Sequence, residues 1–139
     1  MPLTATMMLC DAAQEVGGKL YILGAGWNVL TGPDQPANVA LAILIEVPWD
    51  EANLRHSVEA TLLTDDGDRV EVNGFPIGAE TQLEVGRPPG TRPGAALNAP
   101  LVLAWGGLVL PAGRYVFELH VGGELAARAP FQVGVGGAA

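Results

Sequence analysis

Few residues in this chain are equipped for chemistry. They are one serine (Ser57), one cysteine (Cys10), two histidines (His56 and His120) and one lysine (Lys19). Serine hydrolysis needs a hydroxyl, an imidazole and an orienting carboxylate on one side of the backbone. Ser57 and His56 are neighbours on a predicted strand, so they point to opposite faces and cannot form that pair. A cysteine nucleophile needs an exposed, electropositive setting. Cys10 lies in an apolar strand and reads as a small buried hydrophobe.

The glycines invite a nucleotide-binding reading that fails on spacing. Gly24-Ala25-Gly26 is followed by "TGPDQPAN", which cannot start the helix that a dinucleotide turn requires. Gly18-Lys19 has Ala13 where a phosphate loop needs glycine, and Leu20 where it needs Ser or Thr. Asp65-Asp66-Gly67-Asp68 lacks the alternating ligands, sixth-position glycine and twelfth-position glutamate of a calcium loop. His56 and His120 have no identifiable third metal ligand. No cofactor, metal or catalytic residue is expected.

Two features remain as binding candidates. "EVGRPPGTRPG" sets Arg87 and Arg92 in a proline-stiffened loop, suited to a carboxylate or a partner chain. Trp27, Trp49 and Trp105 are the other, and Trp49 is the one expected to be partly exposed.

These residues must be positioned by strands. Nineteen glycines and eleven prolines break the chain into short runs, and no run of helical length keeps a 3.6-residue apolar period. Strands are predicted near 3–11, 19–29, 39–47, 55–64, 69–73, 81–85, 97–105, 114–121 and 125–133. "TDDGDR", "VGGE" and "QEVGGKL" read as hairpin turns, "PWDEANLRH" as one helical turn, and residues 74–96 as an irregular bridge between two sheets. Residues 55–64 and 114–121 alternate apolar and polar residues. Residues 39–47 do not, because Ala40, Ala42 and Leu44 make the second face apolar as well. Either the chain itself or another protein must cover that face.

The 139 residues are 49% hydrophobic and 16% charged, enough to bury a core as one domain spanning 1–139. A formal charge of −8 opposes binding to nucleic acid or anionic membrane. The absence of a basic segment before Lys19 argues against a secretory signal. No apolar run approaches the roughly 20 residues of a membrane helix. With a single cysteine, these features point to a cytoplasmic protein.

"LCDAAQEVGGKLYILGAGW", "VPWDEANLRHSVEATLLTDDGD", "EVGRPPGTRPGAAL" and "LPAGRYVFELHVGGE" together resemble a bacterial family of small proteins classed as a domain of unknown function. The resemblance spans most of the chain and implies no activity or cofactor. "GRYVFELHV", its Gly-Gly turn and "LAARAPFQV" are also similar to the closing hairpin of immunoglobulin-like sandwiches. The expected fold is therefore all-β: a single antiparallel, immunoglobulin-like sandwich of about eight or nine strands. The expected function is a non-catalytic module that forms a homo-oligomer or docks to another protein through Ala40, Ala42, Leu44 and Trp49. The competing expectation is a small-anion-binding protein or enzyme using the 74–96 loop, with Arg87 and Arg92 on the anion and His56 or His120 as acid or base.

Overall fold

Alternation of side chains along β5 (Ala37–Val47) buries Val39, Leu41, Ile43, Ile45 and Val47 completely or nearly so, and the rest of the fold is arranged around this strand. The computed structural model describes residues 3–134. The ends of the 1–139 unit lie outside the described residues.

One sheet has the order β1-β5-β10 and is antiparallel throughout, with β1 (Thr4–Cys10) and β10 (Leu97–Leu108) flanking β5. A second sheet has the order β4-β12-β11-β6-β9. It contains β4 (Val29–Thr31), β6 (Arg55–Thr64), β9 (Gly78–Glu84), β11 (Gly113–Val121) and β12 (Glu124–Gly134). Among the described residues, only β4 runs parallel to its neighbour, β12. Two small hairpins complete the chain: β2 (Ala12–Val16) with β3 (Lys19–Leu23), and β7 (Glu71–Val72) with β8 (Phe75–Pro76). Trp49–Glu51 form a single 3-10 turn. The all-β expectation holds.

One hydrophobic cluster draws on both larger sheets. Val58, Ala60 and Leu62 of β6, and Tyr115, Phe117, Leu119 and Val121 of β11, pack with the odd-numbered residues of β5. Phe117 is fully buried between Trp105, with ring centroids 5.0 Å apart, and Phe131, at 5.8 Å. Such stacked pairs add about 1 kcal/mol beyond the area they bury. Trp27 leaves the strand predicted for 19–29 and turns inward, edge-on to Phe131. Residues 85–96 carry the chain from β9 in one sheet to β10 in the other.

The predicted strand 19–29 ends at Leu23 because Gly24 and Gly26 take positive φ. A Cβ at Gly24 would run into the Asp11 carboxylate. Here the Asp11 N–H donates to the Leu23 and Gly24 carbonyls, and the Gly26 N–H donates to Leu9. The β2–β3 hairpin is thus a bounded excursion from the end of β1, turned at its tip by Gly17 and Gly18, both at positive φ.

Candidate functional site

Strand register divides the outer face of β5 into two ends. Cys10 and Ala104 flank Ala40, Met8 and Val102 flank Ala42, Thr6 and Pro100 flank Leu44, and Thr4 and Asn98 flank Glu46. The β2–β3 hairpin packs against β5 and β10. Through Ala13 it joins a separate buried cluster of Cys10, Ala40 and Ala42. Ala40 and Ala42 are 2% and 4% exposed. At these two residues the chain itself supplies the cover.

The cover does not fully bury Leu44, which stays half-buried. At this end Trp49 sits on the 3-10 turn that follows β5. Pro48 begins the turn, and the Glu51 N–H donates to its carbonyl at 2.9 Å. Arg87, thirty-eight residues further on, donates from Nη2 to the Trp49 carbonyl at 2.7 Å. Its guanidinium carbon lies 4.3 Å from the centre of the Trp49 ring. A planar guanidinium can stack and hydrogen-bond at once, which a lysine cannot. Trp49 and Arg87 are therefore parts of one stacked, hydrogen-bonded pair.

A groove flanks each member of the pair. One, of about 490 Å³, includes Arg87, Pro88 and Pro100 together with Glu15 and Gly18 from the hairpin tip. The other, of about 400 Å³, includes Trp49, Glu46, Asp50, Thr4 and Ala96. The first groove is lined by Arg87 and by the Glu15 and Glu84 carboxylates, and the second by the Glu46 and Asp50 carboxylates.

The remaining candidates are dispersed. Arg92 is exposed, lines neither groove and makes no side-chain hydrogen bond or ion pair among the described residues. His56 Nε2 lies 3.3 Å from the Glu51 carbonyl and is largely buried. It shares the inner face of β6 with Val58, whereas His120 pairs across to Glu59 on the outer face. The histidines therefore cannot act on one substrate. The Cys10 thiol is fully buried and donates to the Ala40 carbonyl at 3.6 Å. Burial, with help from the Asp11 carboxylate, pushes its pKa above the ordinary thiol value, the opposite of what a nucleophile requires.

Sequence reasoning missed two outward-facing groups on the five-stranded sheet. His120, Glu59 and Glu80 form one row across β11, β6 and β9. A hydrogen bond between the Glu59 and Glu80 side chains, reinforced by the Glu59 charge, raises the Glu80 carboxyl above its usual range. Arg114 and Arg128 line a cavity of about 410 Å³. In the sequence these residues are only the polar half of alternating strands, and nothing there shows which of them become neighbours. Among the described residues, no group of three or more His, Cys, Asp and Glu side chains is placed to hold a metal ion. None of their helices is long and apolar enough to cross a membrane.

The geometry defines an all-β protein with a Trp–Arg surface pair where the cover over one sheet stops. Its family follows from the sequence profile of the Family of unknown function (DUF6941), which matches residues 5–134. The chain belongs to that family. None of the curated proteins compared with the chain matches it.

Proposed function

We propose that this protein is a non-catalytic, self-assembling module whose contact surface is the Leu44–Trp49–Arg87 end of the outer face. One observation carries the reading: a stacked Trp–Arg pair stands at the same end of β5 as the half-buried Leu44, with Arg87 in one groove and Glu46 and Asp50 in the other. Tryptophan and arginine are enriched among the residues that dominate interface energies. A twofold axis near Trp49 would bring the Leu44 and Trp49 faces of two copies together, with the Arg87 guanidinium of each, set between Glu15 and Glu84 of its own groove, near Glu46 and Asp50 of the other. That is the self-complementarity an isologous dimer needs.

We read the scaffold as a single immunoglobulin-like sandwich in a cytoplasmic protein. The order β1-β5-β10 against β12-β11-β6-β9 follows the A-B-E and G-F-C-C′ arrangement of that fold. The Tyr115 hydroxyl near the start of β11 donates to the Pro111 carbonyl at 2.7 Å, as in a tyrosine corner. With Cys10 as its only cysteine, the chain lacks the disulfide of antibody domains.

Sedimentation across a concentration series tests the assembly reading. The wild type is expected to shift to a larger species as concentration rises, and Leu44→Asp and Trp49→Ala are expected to remain single chains with an unchanged β-rich circular dichroism spectrum. Variants that sediment like the wild type would move the interface elsewhere. The competing ligand-binding reading through Arg87 and Arg92 is weaker, because Arg87 is already committed to Trp49 and Arg92 lines neither groove.

A further inference from the structure

Val116 points to the outer face of the five-stranded sheet between Arg114 and Glu118, where alternation predicts an exposed residue, yet it is only 5% exposed. Register explains its surroundings. Arg114 stands opposite Gln132, Val116 opposite Pro130, Glu118 opposite Arg128, and Gln132 opposite Val29 on the short strand β4. All of these except Glu118, with Asn28 and Asp65, line an open cavity of about 410 Å³ on this face. Val29, Val116 and Pro130 contribute apolar lining, and Asn28 and Gln132 contribute amides.

The two arginines differ. Arg128 is held at Nε by Glu118 at 3.3 Å. The Arg114 guanidinium has no hydrogen-bond or ion-pair partner among the described residues; only its backbone carbonyl is used, accepting from the Asp65 N–H at 3.2 Å. In a protein of net charge −8, this cavity is lined by two cations and one carboxylate. Arginine binds carboxylates through two parallel N–H donors, and the volume lies in the range of small-molecule sites.

We propose that this cavity binds a small carboxylate with an apolar body, such as an aryl or short alkyl acid, the carboxylate taken by Arg114 and the body laid on the exposed Val29 and Pro130. The site is separate from the Trp49–Arg87 surface, and its test does not depend on assembly.

Phenylacetate is the probe. Titration of the ¹⁵N-labelled full chain should move the amide signals of Asn28, Val29 and Gln132 in a saturable way. Arg114→Gln should weaken binding at least about tenfold, and Arg87→Gln should leave it unchanged. The neutral analogue 2-phenylethanol and the bare carboxylate acetate should each bind at least about tenfold more weakly than phenylacetate, because each lacks one half of the recognition. Equal binding by Arg114→Gln, shifts centred on Arg87, inorganic phosphate binding as tightly as phenylacetate, or no saturable shift would each overturn the proposal. Arg114 is exposed, so its substitution leaves the core intact; a native-like wild-type amide spectrum for Arg114→Gln confirms that a lost signal is lost binding.

Discussion

Arg87 lies over Trp49 with its guanidinium carbon 4.3 Å from the ring centre and at the same time donates to the Trp49 carbonyl at 2.7 Å. The contact fastens the proline-rich crossing segment to the turn that ends β5. Two residues that read separately in the sequence, as an aromatic anchor and an anion contact, become one surface.

Arg87→Lys should therefore lower stability by about 0.5–1 kcal/mol, the usual value of a surface cation–aromatic contact. A lysine keeps the charge but cannot stack and reach the carbonyl together. Chemical denaturation compares the two proteins, and equal midpoints would show that the pair is not a clasp.

Ala42 and Leu44 are two residues apart on the same face of β5, but only Ala42 lies under the hairpin's buried cluster. Ala42→Asp buries an unpaired carboxylate and should cost on the order of 3–5 kcal/mol. Leu44→Asp, at a half-buried position, should cost less than Ala42→Asp and act mainly on assembly. Thermal melts of the two variants distinguish these effects.

Tyr115→Phe removes the hydrogen bond to Pro111 while keeping the ring stacked on Phe131, with centroids 5.6 Å apart. The expected loss is about 1 kcal/mol, or roughly 4 °C in melting temperature for a chain of this size. An unchanged melt would mean that the corner contributes nothing.

Glu80 makes one contribution to the expected pH dependence. Its carboxyl is raised by the hydrogen bond and charge of Glu59, so the folded state holds the proton more tightly than the unfolded chain. That contribution is fully present below the ordinary glutamate value and is lost as pH rises through the raised one. Glu80→Gln should remove the loss, so its stability advantage over the wild type should be larger at pH 7 than at pH 4. Melts at the two pH values check this, and an advantage independent of pH would contradict it.

Periodicity made the skeleton legible. The run 55–64 appears as β6 with the same ends, and the Gly122-Gly123 turn joins β11 to β12 as read. The apolar second face of β5 was visible too, and its cover was not, because a hairpin beginning at Ala12 depends on the break at Asp11 and Gly24 rather than on hydrophobic pattern. The Trp49–Arg87 pair and the Arg114 cavity were illegible for a related reason. Residues thirty-eight apart, or on different strands, become neighbours only through sheet order and register.

Native mass spectrometry of the wild type beside Leu44→Asp tests the central claim most directly. The wild type should appear as a whole-number multiple of the 14.4 kDa chain, and Leu44→Asp as the single chain. A wild-type protein found only as the single chain, or a variant that keeps the wild-type mass, would contradict assembly through this surface.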